Sequence, residues 1–193
     1  MKRSFLIPFF AIVIIVYSCN NNNTDGQGTT ANDPTPTTTI RPEGTSAAPL
    51  NSADSIFVLE QAMGGMMEVE AGNLAQQNAQ HQRVKAFGEM MVRDHSQANN
   101  ELASLAAGRG IRVPDSVSGE HRKHVESLRK MTGKNFDSHY ISMMVQDHKK
   151  MMEKLENAAT TVKDADLQNW ITKTLPVVRA HFDSAQAISK TKM

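Results

Sequence analysis

Cysteine is almost absent from this sequence of 193 residues, because Cys19 is the only one. No disulfide within the chain can therefore stabilise the fold. Charge of either sign is not in excess, with 21 Lys and Arg against 20 Asp and Glu. Since phosphate binding needs clustered cations, nucleic acid is not expected as a partner. The sequence also lacks a phosphate-binding loop and a nucleophile motif, which makes an enzyme the less favoured class of function.

Aromatic residues are scarce at 5%, whereas methionine is abundant, with 12 residues. Proline and glycine lie mostly outside the segments with helical periodicity. This composition is typical of an all-α domain, and the length is too short for two ordinary domains once the N-terminal region is set aside.

The N-terminal region has the form of a secretory leader. Lys2 and Arg3 precede an apolar run, residues 5–17, that is too short to span a bilayer as a stable helix. The run ends in Val16-Tyr17-Ser18-Cys19, which resembles the bacterial lipoprotein cleavage box. That resemblance implies a signal peptide at residues 1–18 and lipidation of Cys19. The alternative is an ordinary leader that happens to contain a cysteine.

Residues 19–51 form a low-complexity segment rich in Asn, Thr and Pro. Such a composition cannot bury enough apolar surface to fold, so we expect a disordered tether between the lipidated cysteine and the domain. Its random-coil reach is about 30 Å. Asn20, rather than Asp, after the cysteine favours the outer membrane and a position facing the periplasm.

A hexapeptide occurs twice in the remaining sequence. Met90-Met91-Val92-Arg93-Asp94-His95 and Met143-Met144-Val145-Gln146-Asp147-His148 agree at five of six positions. At helical spacing, each copy places its histidine in the middle of an apolar stripe. The repeat therefore predicts two related helices whose histidines face the core.

The periodicity predicts four long helices and one short helix. Helix 1 begins near Ser52 or Asp54, either of which can cap it, and ends near Ala79. Helix 4 begins after the capping residue Asp164. Among the others, the long helices 2 and 3 are expected at residues 82–107 and 136–161, and the short, unnumbered helix at residues 120–131. Pro176 should kink helix 4. Short connections of about two and three residues flank a long one of nearly thirty. This pattern predicts a ferritin-like four-helix bundle over residues 52–190, with the short helix inside the long crossover.

Four residues that can bind a metal fall near the midpoints of the four long helices. Since a midpoint keeps its height whichever way a helix runs, these residues should meet in the core. The predicted ligands are Glu68, His95, His148 and His181, and imidazole with carboxylate suits zinc, copper or iron. Side chains expected to orient these ligands are Asp94, Asp147, Glu70 and Tyr140.

The same residues admit a second interpretation without a metal, in which a buried polar network fixes the helix register.

Di-iron bundles carry Glu-x-x-His on two helices. Here Val92 and Val145 stand three residues before the repeated histidines, so a ferroxidase is not expected. The Met-Met pairs suit Cu(I), but they are also ordinary core residues. The remaining histidines are expected at the surface or at helix ends: His81, His121, His124 and His139.

Several segments are distinctive in combination: Glu68 to Ala75, Val84 to Phe87, Met91 to His95, Phe136 to Tyr140, Val145 to His148 and Leu175 to His181. Together they resemble the bacterial family called domain of unknown function 4142. The resemblance extends from about Ser52 to Ser189. It implies a ferritin-like helical bundle in an exported protein and supplies no activity.

These observations favour a lipid-tethered protein of the cell envelope that binds a transition metal in its core, for sequestration or delivery. One alternative is a metal-free interaction module with a structural polar network, whose tether lets it reach a protein partner or a second copy of itself. A further alternative is a redox enzyme that uses the same site.

Overall fold

The structure, a computed structural model, describes residues 48–191, and this part of the chain contains five α-helices and no strand. The predicted leader, and the predicted tether up to residue 47, lie outside the described residues. Within the described part, none of the helices combines the length and the apolar character needed to cross a bilayer. The helices are α1 (Ser52–Asn78), α2 (Gln82–Gly108), α3 (Gly119–Arg129), α4 (Gly133–Thr161) and α5 (Ala165–Ser189).

The four long helices pack side by side in the spatial order α1, α2, α5, α4, with α4 closing against α1. Neighbours run antiparallel: Lys154 near the end of α4 pairs with Glu60 near the start of α1, at 2.7 Å. At the other end, Asp137 near the start of α4 accepts a hydrogen bond from the backbone of Gln80, just beyond α1. Helices α2 and α4 are therefore parallel, and residues 109–132 form the long crossover between them. The predicted all-α bundle is confirmed.

Helix α3 lies within this crossover and packs on α1 and α4. Its position covers the seam between those two helices, whereas the seam between α2 and α5 has no covering helix in the described part of the chain.

The apolar core consists of two clusters. One lies towards the α1–α2 turn and contains Phe87, Met91 and Tyr140, all buried. The other lies towards the α4–α5 turn and contains Leu102, Leu155 and Ile171. Along each helix, the buried polar residues of the predicted site fall between these two clusters, so the core is divided by a polar layer.

Helix α1 presents its small residues to the core. Ala71, Gly72 and Ala75 are buried, and they let α2 approach closely. An ideal Cβ on Gly88 of α2 would lie 2.7 Å from the Cβ of Ala75 and 2.8 Å from the carbonyl oxygen of Gly72. Since real Cβ atoms do not come this close to other atoms, the contact requires glycine.

We expect Gly88→Ala to destabilise the protein by about 1–2 kcal/mol. The overpacking destabilises the fold by more than the higher helix propensity of alanine stabilises it. Thermal or urea unfolding measures the change. The matched control is Gly64→Ala, where the nearest atom is the flexible Met151 Cε at 3.8 Å, and a gain of up to about 1 kcal/mol is expected. Equal effects of the two substitutions would contradict the close approach of α1 and α2.

Some helix boundaries differ from the sequence prediction. The cap of α1 is Asn51, whose Oδ1 accepts a hydrogen bond from the Asp54 backbone at 2.9 Å, and not Ser52 or Asp54. Helix α4 begins at Gly133 rather than Phe136, because Gly133 adopts a positive φ of 62° and turns the chain directly into the helix. The predicted cap of α5 is confirmed, since Asp164 accepts from the Leu167 backbone at 3.0 Å. Helix α5 continues through Pro176.

Candidate metal centre

Three histidines from three helices meet in the polar layer. His95 of α2, His148 of α4 and His181 of α5 are 4%, 0% and 1% exposed. Their ring centroids lie 5.1–5.6 Å apart. One ligand atom of each ring lies within 4.8 Å of those of the other two. We refer to these three residues as the histidine layer.

Hydrogen bonds fix which nitrogen of two imidazoles carries the proton. His148 Nδ1 lies 2.9 Å from the Met144 carbonyl oxygen, which can only accept, so Nδ1 is the donor. His181 Nε2 lies 2.9 Å from Asp94 Oδ2 and likewise donates. In a neutral imidazole the opposite nitrogen then holds a lone pair. Those nitrogens, His148 Nε2 and His181 Nδ1, are buried without a hydrogen-bond partner.

Glu68 of α1 lies against the histidine layer. Its side chain is 1% exposed, with Oε2 3.1 Å from His95 Nδ1 and Oε1 3.6 Å from His148 Nδ1. Neither oxygen has a well-aligned hydrogen bond, so the approach is a contact rather than a bond. His95 Nε2, opposite the atom that Glu68 contacts, is also buried without a partner. Glu68 thus approaches the Nδ1 atoms of two rings and is not part of the converging group of three.

Burial keeps the histidine layer neutral. It lowers the pKa of His95 well below the ordinary value, and the other two imidazoles add to the effect. Burial, with His181, lowers the pKa of His148 to about 3. Burial lowers the pKa of His181 as well, although Asp94 opposes it. Burial also raises the pKa of Glu68 well above its ordinary value, with Asp147 adding to it, which favours the protonated carboxyl. Neutral imidazole is the form that binds metals.

Two of the residues predicted to orient the ligands lie in or beside the polar layer. Asp94 holds His181 and also accepts from Arg93 Nε at 2.7 Å. Tyr140 is fully buried, and its hydroxyl has no hydrogen-bond partner. Burial raises the pKa of Tyr140 above its ordinary value, and Glu68 adds to the effect, so the phenol keeps its proton.

The structure gives the other two predicted residues different neighbours. Glu70 pairs with Arg129 of α3 at 3.3 Å, on the surface of the bundle. Asp147 lies beside α3, with Oδ1 3.9 Å from Lys150 Nζ and Oδ2 buried without a hydrogen-bond partner. In the part of the chain that the structure describes, neither side chain forms a hydrogen bond with the histidine layer.

Two clefts reach the polar layer from opposite sides of the bundle. The α2–α5 cleft, of about 350 Å³, includes Asp94, His95 and His181 in its lining. The α3 cleft, of about 360 Å³, lies between α1 and α4 beside α3 and reaches Glu68. Sequence reasoning missed that His121 and His124, expected at the surface, line this second cleft with Asp147.

Comparison with known families agrees with this all-helical arrangement. A family model described as a domain of unknown function, DUF4142, matches residues 40–188, from before α1 to the last turn of α5. The chain belongs to the DUF4142 family. This confirms the family resemblance seen in the sequence, and the description assigns the DUF4142 domain no activity. No curated protein and no solved structure matches the chain.

Proposed function

We propose that this DUF4142 protein binds one transition-metal ion in the histidine layer. The observation that carries the proposal is the convergence of three buried imidazoles, each with one nitrogen that lacks a hydrogen-bond partner. On two of the rings, a hydrogen bond at the opposite nitrogen sets the tautomer that a metal ligand needs. Such outer hydrogen bonds accompany most metal-binding histidines, because they fix the orientation of the ring and raise its basicity.

The donor set suits zinc, copper or iron, since all three accept imidazole. Zinc–nitrogen bonds of about 2.0–2.1 Å place tetrahedral nitrogens about 3.4 Å apart, so the rings need a small inward movement to bind. Three histidines leave a fourth position, which Glu68 fills if its carboxylate turns towards the ion and which water or an exogenous ligand fills otherwise. The buried site favours sequestration or delivery of the ion.

A metal-free polar network is the alternative function for the same residues. The contact between Glu68 and His95 favours it, because a protonated carboxyl beside a neutral imidazole can stabilise the layer without an ion. In that case the layer holds the register of the helices, and the protein acts as an interaction module of the cell envelope.

Equilibrium dialysis against zinc and copper, followed by elemental analysis, tests the proposed site. We expect one tightly bound ion per wild-type chain and its loss in His148→Ala. His139→Ala is the matched control, because His139 lies on the same helix and is exposed. A wild-type protein that retains no ion, or a His148→Ala protein that retains it, would leave the metal-free network as the better account.

The second proposal concerns the location of the protein and rests on the sequence before the described residues. We propose that lipidated Cys19 and the tether hold the bundle at the membrane, and the Val16-Tyr17-Ser18-Cys19 box supports this. Cys19→Ser should release the protein from membranes or leave its leader uncut, because the thiol that carries the lipid is lost. Fractionation of cells that express each form measures this. Unchanged membrane association together with normal removal of the leader would refute the lipid anchor.

A further inference from the structure

The α3 cleft contains more metal-binding side chains than the proposed site uses. His121 and His124 of α3 and Asp147 of α4 line a cavity of about 360 Å³, and Met67 and Met151 are also in its lining. Imidazole with carboxylate is a donor set for zinc and similar ions.

Several polar atoms in this lining are buried without a hydrogen-bond partner among the described residues. They include Asp147 Oδ2 and His124 Nδ1. Two side chains in the lining that are more than nine-tenths buried also carry oxygens without a hydrogen bond: Glu68, 1% exposed, and Gln61, 6% exposed. Because a buried polar group without a partner is costly, such a concentration points to a bound species.

The surrounding charges are largely occupied with one another. Lys154 pairs with Glu60 at 2.7 Å, and Glu120 pairs with Lys123 at 2.6 Å. Lys150 lies 3.9 Å from one oxygen of Asp147 and leaves the other oxygen without a partner. The cleft therefore keeps one carboxylate oxygen and two imidazoles available to a cation.

Glu68 connects the cleft to the histidine layer. It lines the cleft, and its two oxygens contact the Nδ1 atoms of His95 and His148. A cation that displaces the Glu68 proton makes the side chain a carboxylate ligand for the same metals. By turning towards the unpartnered nitrogens of the layer, this carboxylate can pass the ion from one set of imidazoles to the other.

We propose that the α3 cleft holds a second, weaker transition-metal site formed by His121, His124 and Asp147, which loads the histidine layer past Glu68. The loading role rests on the proposed function, whereas the second site does not. The outer site is the weaker one because His121 and His124 are only partly buried. Among the described residues, its donors also do not form a group as close as the histidine layer, whose ligand atoms lie within 4.8 Å of one another.

Two measurements on the full-length protein test this inference. Equilibrium dialysis over a wide range of zinc concentration should show two equivalents of zinc per wild-type chain, one bound tightly and one bound weakly. The double variant His121→Ala/His124→Ala should lose only the weak equivalent, and His148→Ala only the tight one. The variants on α3 remove partly exposed side chains, so the fold should tolerate them.

The second measurement is the rate at which the protein takes zinc from a weak chromophoric chelator. Asp147→Asn and the double variant should load about tenfold more slowly, because a cleft that concentrates a cation raises its association rate by that order. Tight-site affinity should stay unchanged. Glu101→Gln is the control, since it removes a carboxylate from the opposite α2–α5 cleft and should load at the wild-type rate.

The outcomes separate the two proposals. A tight equivalent without a weak one, or unchanged loading rates in the cleft variants, would overturn the inference and leave the metal site intact. A weak equivalent that disappears in the double variant, in a protein without a tight one, would support the outer site and refute the proposed function.

Discussion

The metal-free protein should lose stability steeply as the pH falls from 6.5 towards 3. The pKa of His148 is lowered from its ordinary value of 6.5 to about 3 by burial and by His181. The unfolded chain therefore takes up a proton in this window while the folded chain does not. For His148 alone the loss is on the order of 4 kcal/mol, and His95 and His181, whose pKa values are also lowered, add to it.

Glu68 acts in the opposite direction. Because its folded pKa is raised, its contribution to stability is complete below its ordinary value of 4.5 and is lost as the pH rises above that value. Between pH 6.5 and 4.5 it partly offsets the histidines, and below 4.5 it offers no further gain. Glu68 therefore reduces the loss of stability above pH 4.5 and does not reduce it below that value.

Urea unfolding at a series of pH values, with chelator present, measures this dependence. The control is His148→Gln, which keeps a polar side chain of similar length but cannot take up the proton. Its stability should depend on pH less than that of the wild type, by an amount on the order of 4 kcal/mol between pH 7 and pH 3. Parallel curves for the two proteins would contradict a neutral, buried His148.

Added zinc should stabilise the fold by about 4 kcal/mol at a thousandfold excess over the dissociation constant, because an ion that binds only the native state shifts unfolding by mass action. Both His95→Ala and His148→Ala should remove this gain, and the exposed His139→Ala should retain it. Thermal unfolding with chelator, zinc and copper measures the effect.

If added metal does not change the melting temperature of the wild-type protein, the result would favour the polar network. The same alanine substitutions would then cost about 1–3 kcal/mol with or without metal, because they leave buried partners unpaired. The two accounts differ in the metal dependence of the variants, and not in whether the variants are less stable.

The sequence predicted the position of the histidines along the bundle because that position depends only on helix length. His95, His148 and His181 lie near the middles of α2, α4 and α5, and connection lengths set the order of those helices. Equal heights in antiparallel neighbours then bring the residues together. The contribution of Glu68 was less predictable, since its height is fixed by α1 but the edge of each ring that it meets depends on side-chain conformation.

The two copies of the repeated hexapeptide have different surroundings in the structure. Asp94 and Asp147 occupy equivalent positions in the two copies, yet Asp94 bonds to His181 and Asp147 lies beside α3. The difference arises from the neighbouring elements, because α2 packs on α5 and α4 packs on α1 and α3. A nearly identical local sequence cannot encode which helix lies next to each copy.

Long-range contacts set other features that no local pattern indicates. Buried Asp137 of α4 accepts hydrogen bonds from the backbone of Gln80 and His81, more than fifty residues earlier, and so closes the α1–α2 turn. The start of α4 was likewise missed, because the positive φ of Gly133 fits a helix end as well as a helix start.

X-ray absorption spectroscopy of the zinc-loaded protein tests the central claim most directly, because it reports the atoms bound to the ion. The account predicts nitrogen ligands at about 2.0–2.1 Å, with imidazole scattering equivalent to three histidines that falls in His148→Ala. A zinc environment made only of oxygen atoms, or imidazole scattering that is unchanged in His148→Ala, would contradict it.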